Sequence, residues 1–267
     1  MWAQSCYSLV RCLLGPLGRS FRTFDDDAKK HMDKILAPLS SVIDAQGTSV
    51  VVPVHQSFRD FLLDRDRCRK APEFWINQQD AHLQLLEKCL DCLMVLKQDI
   101  FNLKAPGFRA ADIPAGAVAK CLPLHMQYAC RYWIEHLAHL DVSQRAQAGL
   151  EDHGCIHSFI RSKLLFWLEA LSVMKLLPFA IPLINQLIVL ANSTGSHSLS
   201  NFLKDGLRFV LANRQNFEQA PLQIYSSRLI FSPVKSLVRQ HYSSLIPSWI
   251  TLGPSPPDQW NSELFCI

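Results

Sequence analysis

Four short stretches of this 267-residue chain gather side chains that can do chemistry. In "EDHGCIH" (151–157) an acid, two histidines and Cys155 stand together. A thiol beside an imidazole is the nucleophile–base pairing of cysteine hydrolases, but a polar cap ahead of an apolar helix uses the same residue types without any reaction. The cap is the expectation here, with a hydrolase built on Cys155 and His157 as the outside alternative. "HLAHL" (136–140) spaces His136 and His139 three apart, so on a helix both imidazoles share a face and can ligate a metal. No acid or cysteine joins them in the pattern, and a polar helix face is expected. "CLDC" (89–92) is a lone CxxC without a second pair at zinc-finger spacing, which reads as two small core residues. The fourth stretch, "PVHQSFRDFLLD" (53–64), sets His55 just ahead of Ser57 and Asp60. S-x-x-D is a capping box, in which the Ser57 hydroxyl caps an amide at the helix start and the Asp60 carboxylate reaches back. Phe58, Phe61 and Leu62, at i, i+3 and i+4, make one apolar face that anchors the segment.

Helices position nearly all of these residues. "DDDAKKHMDKILAPLSSVID" (25–44) carries Met32, Ile35, Leu36, Leu39 and Ile43 at helical spacing behind a run of acids, and Gly47 breaks it. "TSVVVPV" (48–54) is a short β-branched strand that Pro53 ends. The helix at Ser57 follows, giving a compact helix–wing–helix unit over 25–67. "CRKAPEFWINQQ" (68–79) connects it to a long helical stretch. Four apolar stripes follow: Leu83, Leu86, Leu90 and Leu93; Ala129, Trp133, Leu137 and Leu140; Ile156, Ile160, Leu164, Trp167, Leu171 and Met174; and Phe202, Gly206 and Phe209. "LKAPGFRAADIPAG" (103–116) is a loop, and "SPVKSLVRQ" opens a short helix with Ser232 at the cap and Pro233 at the first helical position. The fold class expected is mainly α, with about eight or nine helices in an irregular bundle or short solenoid. No strict repeat period supports a tetratricopeptide-type array.

The composition narrows the function classes. Apolar residues are 49% and charged residues 19%, as in a globular chain. A net charge of +4 is small and scattered; its densest patch is "RDRCRK" (65–70), so nucleic-acid binding is not expected. Nine cysteines, odd in number and irregular in spacing, indicate a reducing compartment. Arg11 interrupts the faintly apolar start, which lacks the basic opening of a signal peptide. "LLPFAIPLINQLIVLA" (176–191) holds two prolines, an Asn and a Gln, and falls short of the roughly 20 apolar residues of a membrane span. A soluble, cytoplasmic chain without membrane partners is expected. There is no G-x-x-x-x-G-K-[ST], no G-x-S-x-G and no H-E-x-x-H, so no catalytic residue and no metal site is assigned and the chain is not expected to be an enzyme.

Several stretches in order carry a resemblance: "PVHQSFRDFLLD", "EFWI", "LKQDIFNLKAPG", "CLPLHMQYACRYWIEHL", "FWLEALS", "RFVLANR", "APLQIYSSRLIFSP" and "IPSWI". They resemble the helical region between the NACHT nucleotide-binding domain and the WD-repeat propeller of fungal NACHT/WD-repeat proteins, which are NLR-like STAND proteins of the vegetative-incompatibility type. The likeness implies an unassigned segment at 1–24, a partial winged-helix unit at 25–67, a helical arm at 68–250, and a linker at 251–267 that would lead to WD repeats. It also implies a role for His55. In related NLR proteins the histidine of the H-x-S-F-x-[DE]-[FY] segment lies in the winged helix and contacts the β-phosphate of ADP, holding the closed state. Ser57, Phe58, Asp60 and Phe61 would then cap and pack the segment that aims it. With no Walker motif of its own, the chain would meet ATP or ADP only through a NACHT domain supplied from elsewhere, and it needs no cofactor. The function so implied is a non-enzymatic regulatory module of a NACHT-type signalling protein. The alternatives are a stand-alone helical scaffold that binds proteins, including a full-length NACHT/WD-repeat relative, and a non-functional truncated gene product.

Overall fold

The computed structural model describes residues 43–44, 52–53, 55–114, 116–246 and 256–260. These are mainly helical, as the apolar periods predict, with ten helices where about eight or nine are expected. In chain order they are α1 (Gln56–Leu63), α2 (Gln78–Leu93), α3 (Ala117–Cys121), α4 (Leu124–Ala138), α5 (Val142–Gln147), α6 (Cys155–Val173), α7 (Ala180–Ser193), α8 (His197–Gln219), α9 (Ser227–Phe231) and α10 (Leu237–His241). Ahead of them β1 (Ile43–Asp44) pairs antiparallel with β2 (Val52–Pro53), Ile43 opposite Pro53 and Asp44 opposite Val52. Ile43 therefore belongs to a strand, not to the apolar face of a helix over 25–44. β-branched side chains fit a pleated ladder better than a helical turn, and the partner across the ladder outweighs the local period. Pro53, which has no N–H to give, closes the pairing. The rest of that expected helix, and residues 1–24, lie outside the described residues.

Contacts sort the chain into two compact units. One holds the described residues up to Cys92 together with Leu122–Leu140, and the other holds the described residues of 93–121 and from Asp141 onward. The divisions thus fall at 92/93, 121/122 and 140/141. The connector is tied to what precedes it: the Ile76 amide donates to the Leu62 carbonyl at 2.8 Å, and Cys68 Sγ donates to the Phe61 carbonyl at 3.1 Å.

In the first unit α4 buries Ala129, Trp133 and Leu137 as its stripe predicts. The buried face of α2 holds Leu83, Leu86 and Leu93 of the expected stripe, with Leu90 half-buried. Ala81, His82, Leu85 and Cys89 are inside with them, so the buried face is wider than the stripe. Cys89 is thus a small core residue, as expected, whereas Cys92 is only half-buried, and His82 shares the face of Cys89.

The second unit is built on α6, whose Ile156, Ile160, Leu164, Trp167 and Leu171 are buried, and with them Leu165, Leu168 and Ala170. The second half of α6, from Leu164 on, is buried on nearly every side and must be covered all round. α7 and α8 form a helical hairpin beside it, and α8 also packs on α6 and α10. Gly206 of α8 allows close approach, since a Cβ there would stand 3.0 Å from Leu164 Cδ2. The apolar stretch at 176–191 is a 3-10 turn (Leu177–Phe179) running into α7, with Pro182 in the first helical turn. Among the described residues no helix is long and apolar enough to cross a membrane.

α10 begins later than its sequence suggests. Its cap is Ser236, whose Oγ accepts from the Arg239 amide at 3.2 Å, not Ser232. The buried carboxylate of Asp205 on α8 decides the matter. It accepts from the Ser236 hydroxyl (2.7 Å) and the Val238 amide (2.8 Å), which draws the helix start toward α8. Its other oxygen accepts from the Trp260 indole N–H at 2.6 Å. Residues 256–260, linker-like in composition, are also held by the Val234 and Lys235 amides, which donate to the Pro257 and Asp258 carbonyls. Three donors without an acceptor make Asp205→Ala costly: we expect a loss of about 2–4 kcal/mol in urea unfolding, and a Trp260 more accessible to quencher. An unchanged midpoint would show that these bonds contribute nothing net.

Candidate functional site

His55 stands at the start of α1 with extended backbone (φ −138°, ψ 142°), and it is the N-cap. Its Nδ1 accepts from the Ser57 amide at 3.1 Å and lies 2.8 Å from the Ser57 hydroxyl. The capping box on Ser57 is therefore displaced by two residues: the imidazole fills the place of the cap oxygen, and Ser57 lies inside the first turn. Extended geometry at 55, directly after the strand, leaves the ring within reach of the first amides. Because Nδ1 accepts, the neutral ring carries its proton on Nε2, and the ring is exposed. Phe58 and Phe61 are half-buried, Leu62 is buried and Asp60 is exposed.

Of the expected polar helix face His139 is exposed as predicted, but His136 is not. His136 is 0% exposed, with Nε2 2.8 Å from the Tyr128 hydroxyl and Nδ1 3.0 Å from Nδ1 of His82. His139 stacks on His82 at 4.3 Å between ring centroids, and its Nδ1–H donates to the Glu135 carbonyl at 2.8 Å. Burial, and then the charge that His139 would carry, depress the His82 pKa to about 4. Burial, then His82 and His139, bring His136 to about 3. Two facing nitrogens 3.0 Å apart make a direct N–H···N bond. Tetrahedral zinc ligands at about 2.0–2.1 Å would hold them further apart. Among the described residues no group of three or more His, Cys, Asp or Glu is placed to hold a metal.

A third cluster unites stretches that lie far apart in sequence. Glu169 on α6 is 0% exposed, and its Oε2 accepts from the Tyr225 hydroxyl and from the Asp99 amide at 3.1 Å. Asp99 in turn accepts from the Leu103 (2.6 Å) and Lys104 (2.9 Å) amides, closing a tight loop in which Asp99, Asn102 and Lys104 all have positive φ. Lys163 pins the loop's start by donating to the Leu96 carbonyl at 2.8 Å. Burial raises the Glu169 pKa to about 7, against the opposing bonds from Tyr225 and Asp99. The same burial, reinforced by the Glu169 charge, drives the Tyr225 phenol well above its usual range. "LKQDIFNLKAPG", "FWLEALS" and "APLQIYSS" thus meet at one buried carboxyl group. No spacing in the sequence announces Glu169 or Tyr225, but the run of Asp and Asn at 99 and 102 is a local signal for the left-handed backbone found there.

"EDHGCIH" is a helix entry, as expected. Gly149 (φ +75°) and Gly154 fold it tightly, since a Cβ at Gly149 would lie 2.4 Å from Cys155 Sγ and one at Gly154 would lie 2.3 Å from the Gly149 carbonyl oxygen. Cys155 Sγ donates to the Ala148 carbonyl at 2.9 Å, and Nδ1 of His157 accepts from the His153 amide at 2.9 Å. Both groups are engaged with backbone. Asp152 accepts from the Ser198 and Leu199 amides at 2.9 Å, capping α8 from outside.

No family model matches this chain, and no solved structure matches it. Over 222 residues, 78% of its length, it is 35% identical to the vegetative incompatibility protein HET-E-1 of Podospora anserina, and it spans 16% of that protein. The match supports kinship with the vegetative incompatibility proteins, as the motif stretches imply, and it is kinship with one part of such a protein.

Proposed function

We propose that the chain is a non-enzymatic helical regulatory module of a NACHT-type STAND signalling protein, and that it couples nucleotide state to activation when a NACHT domain is present. The observation that carries this is the 35% identity over 222 residues to a vegetative incompatibility protein. The geometry of His55 is compatible with the role that the motif resemblance gives it. Its Nδ1 is spent on the helix cap, which fixes the ring and leaves the Nε2–H to donate to a phosphate oxygen. In this reading ADP binds the closed form better than the open one, and that difference alone sets how far the nucleotide can shift the equilibrium.

In a full-length relative, the change equivalent to His55→Ala is expected to speed ADP release roughly 10–100-fold, the worth of one hydrogen bond to a charged group. His55→Asn separates this role from capping, because asparagine caps well but lacks the imidazole reach. If retention is unchanged in both variants, His55 is a cap and nothing more. Isothermal titration of this chain alone with ADP should show no tight binding.

The second reading, a stand-alone scaffold that docks on other proteins, is favoured by one surface of the second unit. Phe231, Val234 and Leu237 are all exposed within seven residues of chain. Co-elution of the chain with a full-length relative, abolished by Val234→Asp, would select it.

A further inference from the structure

A pocket of about 360 Å³ opens in the second unit where α6, α8 and α10 meet. α6 contributes His157 and Arg161, one turn apart, and α8 contributes Ser198 and Phe202 at the same spacing. α10 closes the pocket with Leu237 and His241. Hydrogen bonding fixes the ring protons. The His153 amide donates to Nδ1 of His157, so the neutral ring carries its proton on Nε2. That Nε2 is buried without a partner, in a residue only 1% exposed. Arg161 Nη2 lies 3.2 Å from Nδ1 of His241 and can only donate, so His241 likewise presents Nε2–H. Burial holds both imidazoles below the usual range. The Arg161 guanidinium lies 5.9 Å over the Phe202 ring, with its remaining N–H groups available. Asp152 is the nearest acid, at 3.8 Å from Nδ1 of His157, and its oxygens are taken by the amides of α8.

The pocket therefore offers the Arg161 cation, the His241 Nε2–H and the Ser198 hydroxyl, while the unpartnered His157 Nε2 is itself shut off from solvent. We propose that it binds a small organic phosphate monoester. The phosphate would sit on Arg161, the His241 Nε2–H and Ser198, and the organic part would lie against Phe202 and Leu237. Donors on three helices reach oxygens that are not coplanar, which suits a tetrahedral head better than a carboxylate. The volume falls in the range of small-molecule sites, which are about 300–1,000 Å³. His55 plays no part, so the outcome is independent of the regulatory reading above.

The test titrates the full chain at pH 7 with phenyl phosphate, inorganic phosphate and benzoate, following the His157 and His241 imidazole signals by long-range ¹H–¹⁵N NMR. Phenyl phosphate is expected to shift His241 saturably at about millimolar concentration, and inorganic phosphate to bind several-fold more weakly. Arg161→Gln, on an exposed side chain, should weaken phenyl phosphate roughly tenfold or more, the loss of a charge-assisted contact. The proposal is overturned if His241 shows no saturable shift, if Arg161→Gln binds as well as the parent, or if benzoate matches phenyl phosphate. Equal affinity for inorganic and phenyl phosphate would overturn the apolar half of the site.

Discussion

Glu169→Ala is expected to lower the unfolding free energy by about 3–5 kcal/mol, the largest single loss among the polar residues of the second unit. The substitution removes a buried side chain from α6 and leaves the Tyr225 hydroxyl and the Asp99 amide without their acceptor. The Asp99 loop then loses its tie to α6 through Glu169, so amide exchange should rise first at residues 99–104. Glu169→Gln tests the charge separately. Its carbonyl oxygen can accept both bonds, and the expected cost is about 1 kcal/mol. The pH dependence follows from the raised pKa. In the unfolded chain the carboxyl titrates near 4.5, and in the fold near 7. Below 4.5 both states hold the proton, and the neutral acid sits comfortably in its buried place. As pH rises through 7 the fold must also give up the proton, and that stability is lost. Between pH 5 and pH 8 the parent should therefore lose about 2–3 kcal/mol that Glu169→Gln keeps. Parallel pH–stability curves for the two proteins would show that the carboxyl is not the titrating group.

The helices were legible because their apolar positions are dictated by burial, which the residue types report directly. Trp133 and Leu137, and Ile160, Leu164 and Trp167, lie where the period of 3.6 puts them. Helix starts are less legible, and for one reason. A cap is chosen by whatever acceptor reaches the first amides, and twice a group outside the expected pattern won. At α1 the imidazole of His55 outcompetes the hydroxyl of Ser57. At α10 the carboxylate of Asp205, 33 residues before Val238, selects Ser236. The polar clusters were opaque because their partners are remote in sequence: Asp99 joins Glu169 across 70 residues, and His82 joins His136 across 54. A histidine pair three apart on a helix predicts an exposed polar face only when no second helix supplies a partner. Here α2 does supply one, on a face where the leucine stripe had masked it.

That buried pair makes the first unit acid-sensitive, in the sense opposite to Glu169. The unfolded histidines titrate near 6.5, whereas in the fold His82 titrates near 4 and His136 near 3. Above 6.5 both rings are neutral in either state, and the Tyr128–His136–His82 chain is intact. As pH falls below 6.5 the unfolded chain takes up protons that the fold refuses, and stability drains away until the folded pKa values are reached. Each ring contributes a little over 1 kcal/mol between pH 7 and 5.5, so the first unit should lose about 2–3 kcal/mol over that interval. Over the same interval Glu169 gains its proton and the second unit is strengthened. Amide exchange, corrected for intrinsic rate, should accordingly show α4 around Trp133 losing protection on acidification while α6 around Glu169 gains it. His136→Gln keeps a side chain able to bond Tyr128 and His82 but cannot titrate. It should be less stable than the parent at pH 7 by about 1–3 kcal/mol and should show roughly half the acid slope in α4. An undiminished slope in that variant would assign the acid sensitivity to other groups.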